Sequence, residues 1–155
     1  SLQKEIFPSI DGVLILDDII GFVGEAEFTE FVLPYFKRIF SCTGSTVRFL
    51  HNDAEGLITA SFLNEMGVNV FNFSFNHSLG EIRELAGKDV VLLGNIPPRD
   101  VLASGTPEQV REAVKKASGE LSDHDRIIWS AGGGMPQDVS TANIAAFVDA
   151  VKDIK

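Results

Sequence analysis

Five short apolar runs punctuate the chain, and each stops abruptly in small or polar residues. Leu14-Ile15-Leu16 ends in Asp17-Asp18, and Val47-Arg48-Phe49-Leu50 ends in His51-Asn52-Asp53. Val68-Asn69-Val70-Phe71 ends in Asn72-Phe73-Ser74, and Val90-Val91-Leu92-Leu93 ends in Gly94-Asn95. Ile127-Ile128-Trp129 ends in Ser130-Ala131 and the run Gly132-Gly133-Gly134. A helix-like pattern follows each run. Near-continuous apolar strands alternating with amphipathic helices predict an α/β fold of five βα units around a parallel sheet. Strand ends are expected near residues 17, 51, 73, 95 and 130. In such folds the carboxyl ends of the strands carry the chemistry, so the pattern locates a site before it names a reaction.

The helix boundaries are written in local signals. Thr106-Pro107-Glu108-Gln109 supplies an N-cap threonine, a proline at the first helical position and a glutamine at the third, which is a capping box. Val110, Ala113, Val114 and Ala117 then fall on one face. The last helix is expected to be capped by Ser140 and to bury Ile144, Phe147, Val148 and Val151. Residues 57–66 form a helix stopped by Gly67, and residues 78–86 form another stopped by Gly87. Phe28, Phe31, Val32, Tyr35, Phe36, Ile39 and Phe40 make an aromatic stripe at helical spacing, read as core packing. Pro34 inside it predicts a kink, or a second helix that Pro34 opens.

Two architectures satisfy this order of elements: an open doubly wound sheet, or part of an eight-stranded barrel. A complete (β/α)8 barrel takes about 250 residues, and this sequence has 155. No Gly-x-Gly-x-x-Gly turn follows the first strand, and no lysine follows the late glycine run to make a phosphate loop. Hydrophobic residues at 45% and charged residues at 23% are those of an ordinary globular domain. The net charge of −9, without any basic run, argues against a nucleic-acid partner. No run reaches the roughly 20 apolar residues of a membrane span, and a cytoplasmic location is the default. The single cysteine, Cys42, excludes a multi-cysteine metal centre and is read as a semi-buried thiol at a helix end.

The candidate chemistry sits at the strand ends. His51 and Asp53 form an H-x-D pair, and residues two apart on an extended chain point the same way. An imidazole and a carboxylate could then face one metal ion or one substrate, with zinc accepting both donor types. A further ligand would come from Asp17, Asp18, Asn72 or Ser130. The plainer reading has His51 held by a backbone carbonyl and Asp53 capping the next helix. Asp17 and Asp18 could bind a metal or serve as acid or base; equally, one of them caps the next element. Arg99, in the stiff loop Asn95-Ile96-Pro97-Pro98-Arg99-Asp100, could clamp an anion or pair with Asp100. Gly132, Gly133 and Gly134 either admit a bulky ligand and offer backbone N–H groups, or make a tight turn. Asn72 and Asn95 are further candidates for substrate binding, and His77 stands on a loop beside Asn76 with no assigned partner.

Taken together, these segments resemble the carboxyl-terminal half of the uroporphyrinogen decarboxylase family. The stretches that carry the resemblance are Asp17-Asp18 with the helix from Phe28 to Ile39, then His51 with its following helix and Gly67-Val68. After them come Leu93-Gly94-Asn95-Ile96-Pro97-Pro98 and Gly105-Thr106-Pro107-Glu108. Ser130-Ala131-Gly132-Gly133-Gly134, running to Asn143-Ile144 and Phe147-Val148, completes the set. The resemblance spans nearly the whole chain. It implies that residues 1–155 are one α/β domain, a fragment of a longer TIM-like barrel from about its fourth strand onward. Such a fragment is expected to self-associate, because a half-barrel leaves strand edges and apolar faces open.

The family's two chemistries set the functional expectations. One is decarboxylation of the acetate arms of a tetrapyrrole, with no cofactor. The other is methyl transfer with a corrinoid protein, in which zinc activates the acceptor. In the zinc enzymes the ligands resemble H-x-C plus a later cysteine; His51 matches the histidine, Asp53 stands at the first cysteine and Gly133 at the second. The decarboxylases carry a histidine in a G-H-G setting in that last loop, where this chain again has Gly133. The expectation is therefore a methyltransferase-type member. His51 and Asp53 would act at the site and as tentative zinc ligands, Asp17 or Asp18 as acid, base or further ligand, and Gly132 to Gly134 would make room for a large planar partner. The alternatives are a decarboxylase with altered residues, and a relative that binds a tetrapyrrole or corrinoid protein without chemistry.

Overall fold

The computed structural model describes residues 5–6, 8–9, 11–54 and 57–154. Five strands form one sheet: β1 (Gly12–Leu16), β2 (Val47–Asn52), β3 (Val70–Phe73), β4 (Val91–Ile96) and β5 (Ile127–Ala131). Every neighbouring pair is parallel, and the spatial order equals the chain order, β1-β2-β3-β4-β5. The five principal helices are α1 (Leu33–Cys42), α2 (Leu57–Met66), α3 (Leu79–Ala86), α4 (Pro107–Ser118) and α5 (Thr141–Lys152).

The sequential order decides between the two architectures. Crossovers between parallel strands are right-handed almost without exception. A sheet that always steps in one direction therefore stacks all its helices on one face, whereas a doubly wound sheet must reverse its order to cover both. The burial follows this geometry. Leu50, Phe71, Phe73, Leu92 and Ile96 point toward the helices and are buried in one core with Leu63, Met66, Leu79, Ile82, Val110 and Val114. The alternate positions point the other way. Along the row that joins Leu16, His51, Asn72, Leu93 and Ile128 by register, Leu16 is 69% and Ile128 49% exposed. Leu14 and Val47 are exposed on the same face. This is an arc of a (β/α) barrel seen from its uncovered interior.

The helix signals act as their chemistry demands. Ser78 caps α3 and Thr106 caps α4, each in a reciprocal capping box with Glu81 and Gln109 respectively; such a cap contributes about 1 kcal/mol. Ser140 Oγ accepts from the Asn143 N–H and caps α5. Gly67 and Gly87 take positive φ immediately after α2 and α3. The aromatic segment resolves into a short helix Glu25–Glu27, a π-helical turn Phe28–Val32 and α1, which Pro34 opens from its first turn. Proline removes one backbone donor, and the wider turn before it absorbs that loss.

Three burial expectations are corrected. In the aromatic stripe Phe28, Val32, Phe36 and Phe40 are core, but Phe31, Tyr35 and Ile39 are exposed. Among the described residues the principal packing partners of α1 are the π-helical turn before it and α2, and Phe31, Tyr35 and Ile39 face away from them. In α5, Asn143 and Ala146 are buried while Ile144 and Val148 are exposed. The helix is rotated so that Asn143 reaches backbone carbonyls under the preceding loop. Cys42 is exposed at the end of α1, its thiol donating to Ile39 O at 3.2 Å, where a semi-buried position was expected. Among the described residues no helix is long and apolar enough to cross a membrane.

Candidate active site

His51 is the last but one residue of β2 and projects to the uncovered face, half-buried. Its partner is a side chain: Nδ1 lies 2.6 Å from Asn72 Oδ1. The plainer expectation, that a backbone carbonyl holds the imidazole, is therefore corrected. Asn72 is the register neighbour of His51 on β3, and its amide is wholly engaged within the protein, with Nδ2 donating to Leu93 O at 2.6 Å and to Ala131 O at 3.4 Å. At 4% exposure it supports the site rather than presenting itself to a substrate.

Asp53 follows two residues later and lies on the same side of the sheet. Its backbone N–H donates to Asp18 Oδ1 at 2.6 Å, which ties the β1 and β2 loops together. Asp17 takes the local role: its Oδ1 accepts from the N–H groups of Ile19 and Ile20 at 2.9 and 3.4 Å, closing the turn Ile19–Phe22. So one of the two adjacent aspartates caps, and the other bridges strands. Whether Asp53 caps α2 turns on residues 55 and 56, which lie outside the described residues.

The Asp53 residue is exposed as a whole, but its carboxylate is packed against the backbone at Gly133. Partial burial pushes its carboxyl above the usual range; His51 pulls it down, the negative Asp18 pushes it up, and Arg99 pulls it down. Arg99 thus acts on the Asp53 carboxylate, and no ion pair joins it to Asp100 among the described residues.

The glycine run serves close approach. Gly132 packs on the loop after β3; a Cβ there would lie 2.9 Å from both Phe75 Cβ and Phe75 N. Gly133 has φ +110 and faces Asp53, while Gly134 borders open space. Phe75 was not singled out in the sequence, because a contact between loops more than 50 residues apart leaves no local signal. Asn95 is buried and donates to His77 O, so the structure brings it toward the β3 loop. His77 lines a separate cleft of about 430 Å³ between α3 and α4, with its Nε2 buried and unpartnered.

A zinc ion needs three or four donors. Among the described residues no group of three or more His, Cys, Asp or Glu side chains is placed to hold a metal. His51, through Nε2, and Asp53 offer two donors, and Gly133 adds nothing. This donor set does not fit a resident zinc.

A sequence model described as "Uroporphyrinogen decarboxylase (URO-D)" matches residues 10–154. The chain belongs to the uroporphyrinogen decarboxylase family. A uroporphyrinogen decarboxylase of Dichelobacter nodosus is 25% identical over 153 residues, covering 99% of this chain and 44% of its own length. One from Chlorobaculum tepidum is 26% identical over 162 residues, covering 98% and 44%. The chain thus spans less than half the length of the curated relatives it matches. Among solved structures, a methyltransferase from Methanosarcina mazei superposes with a TM-score of 0.80 at 19% identity, covering 96% of this chain and 43% of that one. At that identity the likeness establishes the shared α/β fold.

Proposed function

We propose that this chain is the carboxyl-terminal, site-bearing part of a longer barrel enzyme of the family, and that the enzyme is of the methyltransferase type. The observation that carries the reading is the His51 imidazole. It is held on one side by Asn72 and set beside Asp53 and Asp18 at the carboxyl end of a parallel sheet. In that position Nε2 can take the proton of an acceptor X–H group as X forms its bond to a methyl group, while the bond from the methyl group to its donor would break with its electron pair kept by the donor. The methyl donor is a corrinoid carried by a partner protein. Ile19, Phe22, Phe75 and Met135, all exposed on loops after the strands, give the rim an apolar character that suits a large planar group. No step is assigned to zinc.

The electrostatics support this choice over decarboxylation. A tetrapyrrole with acetate arms is a polyanion. The described groups around the site include the carboxylates Asp17, Asp18 and Asp53, with Arg99 as the guanidinium that acts on Asp53. Like charges of this kind disfavour such a substrate. The second reading, a uroporphyrinogen decarboxylase, is favoured by the named activity of the curated relatives and by the raised Asp53 carboxyl, which burial pushes toward its protonated, proton-donating form.

The test uses the full-length protein. Methylcobalamin with thiol and phenol acceptors is offered in one assay, and a uroporphyrinogen in another. Methyl transfer that is lost in His51→Ala is the expected result. Decarboxylation without methyl transfer selects the second reading, and binding without turnover in either assay leaves a non-catalytic relative.

A further inference from the structure

The orientation of the Asn72 amide fixes more than its own position. Nδ2 is identified by its two partners, Leu93 O and Ala131 O, which are acceptors only. A flipped amide would set Oδ1 against both carbonyl oxygens and lose both bonds, so the assignment is dictated by the network. With the nitrogen pinned, Oδ1 is the atom that faces His51 Nδ1 at 2.6 Å. Oδ1 can only accept. Nδ1 must therefore carry the proton, and a neutral imidazole has just one to place.

We infer that Asn72 is a positioning residue that locks neutral His51 in the Nδ1–H tautomer, leaving Nε2 as a bare acceptor for the reacting group. Asn72 touches no substrate in this role. It acts through His51, and it is itself held by β4 and the end of β5, so the tautomer depends on four strands, β2 to β5, being in register. An uncharged amide also adds no charge of its own, so it sets the tautomer without favouring the imidazolium as a carboxylate would. The consequence for catalysis rests on the reading of His51 as the proton acceptor; the tautomer itself does not.

The experiment is long-range ¹H–¹⁵N correlation NMR on histidine-labelled protein at alkaline pH, assigned by the signal lost in His51→Gln. The wild type is expected to show a protonated Nδ1 and an unprotonated Nε2. Asn72→Ala should move the population toward the Nε2–H form. Asn72→Asp keeps an acceptor oxygen toward Nδ1 but sets its second oxygen against Leu93 O and Ala131 O, so it should recover the Nδ1–H form in part. A wild-type His51 protonated at Nε2 overturns the inference without any variant, as does an Asn72→Ala protein whose tautomer is unchanged. In turnover, Asn72→Ala is expected to lose about 10- to 100-fold in kcat, by analogy with partners that orient metal-ligating histidines, with partial recovery in Asn72→Asp. The expected tautomer in a protein without methyl transfer would overturn the functional reading alone.

Discussion

The Asp53 carboxylate lies over the α-carbon of Gly133: a Cβ built on Gly133 would stand 2.5 Å from Oδ2 and 2.8 Å from Oδ1. The two residues are 80 positions apart and come from the loops after β2 and β5. Gly133→Ala meets both this clash and a φ of +110 that L side chains avoid. It should destabilise the protein by about 1–3 kcal/mol. Asp53→Ala should remove the steric share and leave the backbone share, so the double variant is expected to be more stable than Gly133→Ala alone. A urea double-mutant cycle without coupling would separate the two residues.

The Asp53 carboxyl is raised, first by burial, so its neighbours should move it in known directions. Asp18→Asn removes a negative neighbour and should lower it; Arg99→Gln removes a positive one and should raise it. Carbon-detected NMR titration of the aspartate side chains reads both. A folded value above the unfolded 3.8 means that the native state binds the proton more tightly. Asp53 therefore costs stability as pH rises from about the unfolded value through the folded one, and costs nothing below both. Asp53→Asn should remove that slope, by a small amount because the residue is largely solvated.

Zinc titration addresses the donor set directly. Two side-chain donors predict weak binding, reduced further in His51→Ala and in Asp53→Ala. One tightly bound zinc per chain, lost in both variants, would show that a further donor completes the site.

Asn143 anchors α5. It is buried, and its Nδ2 donates to Leu102 O at 2.9 Å and to Gly105 O at 2.7 Å. Asn143→Leu leaves both carbonyls without that donor, at a cost of about 1–3 kcal/mol. Thermal unfolding should show a fall of several degrees, while His51 in its separate part of the sheet keeps its NMR signature.

The uncovered sheet face should drive association of the 155-residue chain on its own. Leu14, Leu16, Val47 and Ile128 are exposed together on it, and apolar patches of this kind are seldom left in water. Sedimentation should show concentration-dependent self-association, weakened in the Leu16→Lys, Ile128→Lys double variant. A monomer at all concentrations would contradict this.

Much of this protein was legible in the order of its residues. The five strands, the helix at 57–66, the helix read at 78–86 (Ser78 proves to be its cap), the capping box at Thr106 and the turn at Gly67 are all encoded within a few neighbouring positions. That is the range over which capping, periodicity and positive φ operate. The family is carried by those same short stretches. The H-x-D pair could be placed on one face for the same reason, because strand alternation needs no tertiary knowledge. What the sequence left open were relations between distant segments. The choice between a doubly wound sheet and a barrel arc depended on strand order. The partner of His51 proved to be Asn72, 21 residues away. The division of labour between Asp17 and Asp18, the exposure of Phe31, Tyr35 and Ile39, and the seat of Asp53 on Gly133 were likewise decided only when separate βα units packed side by side. Local signals set what each segment is. Register and packing set what it touches, and those are properties of the whole chain.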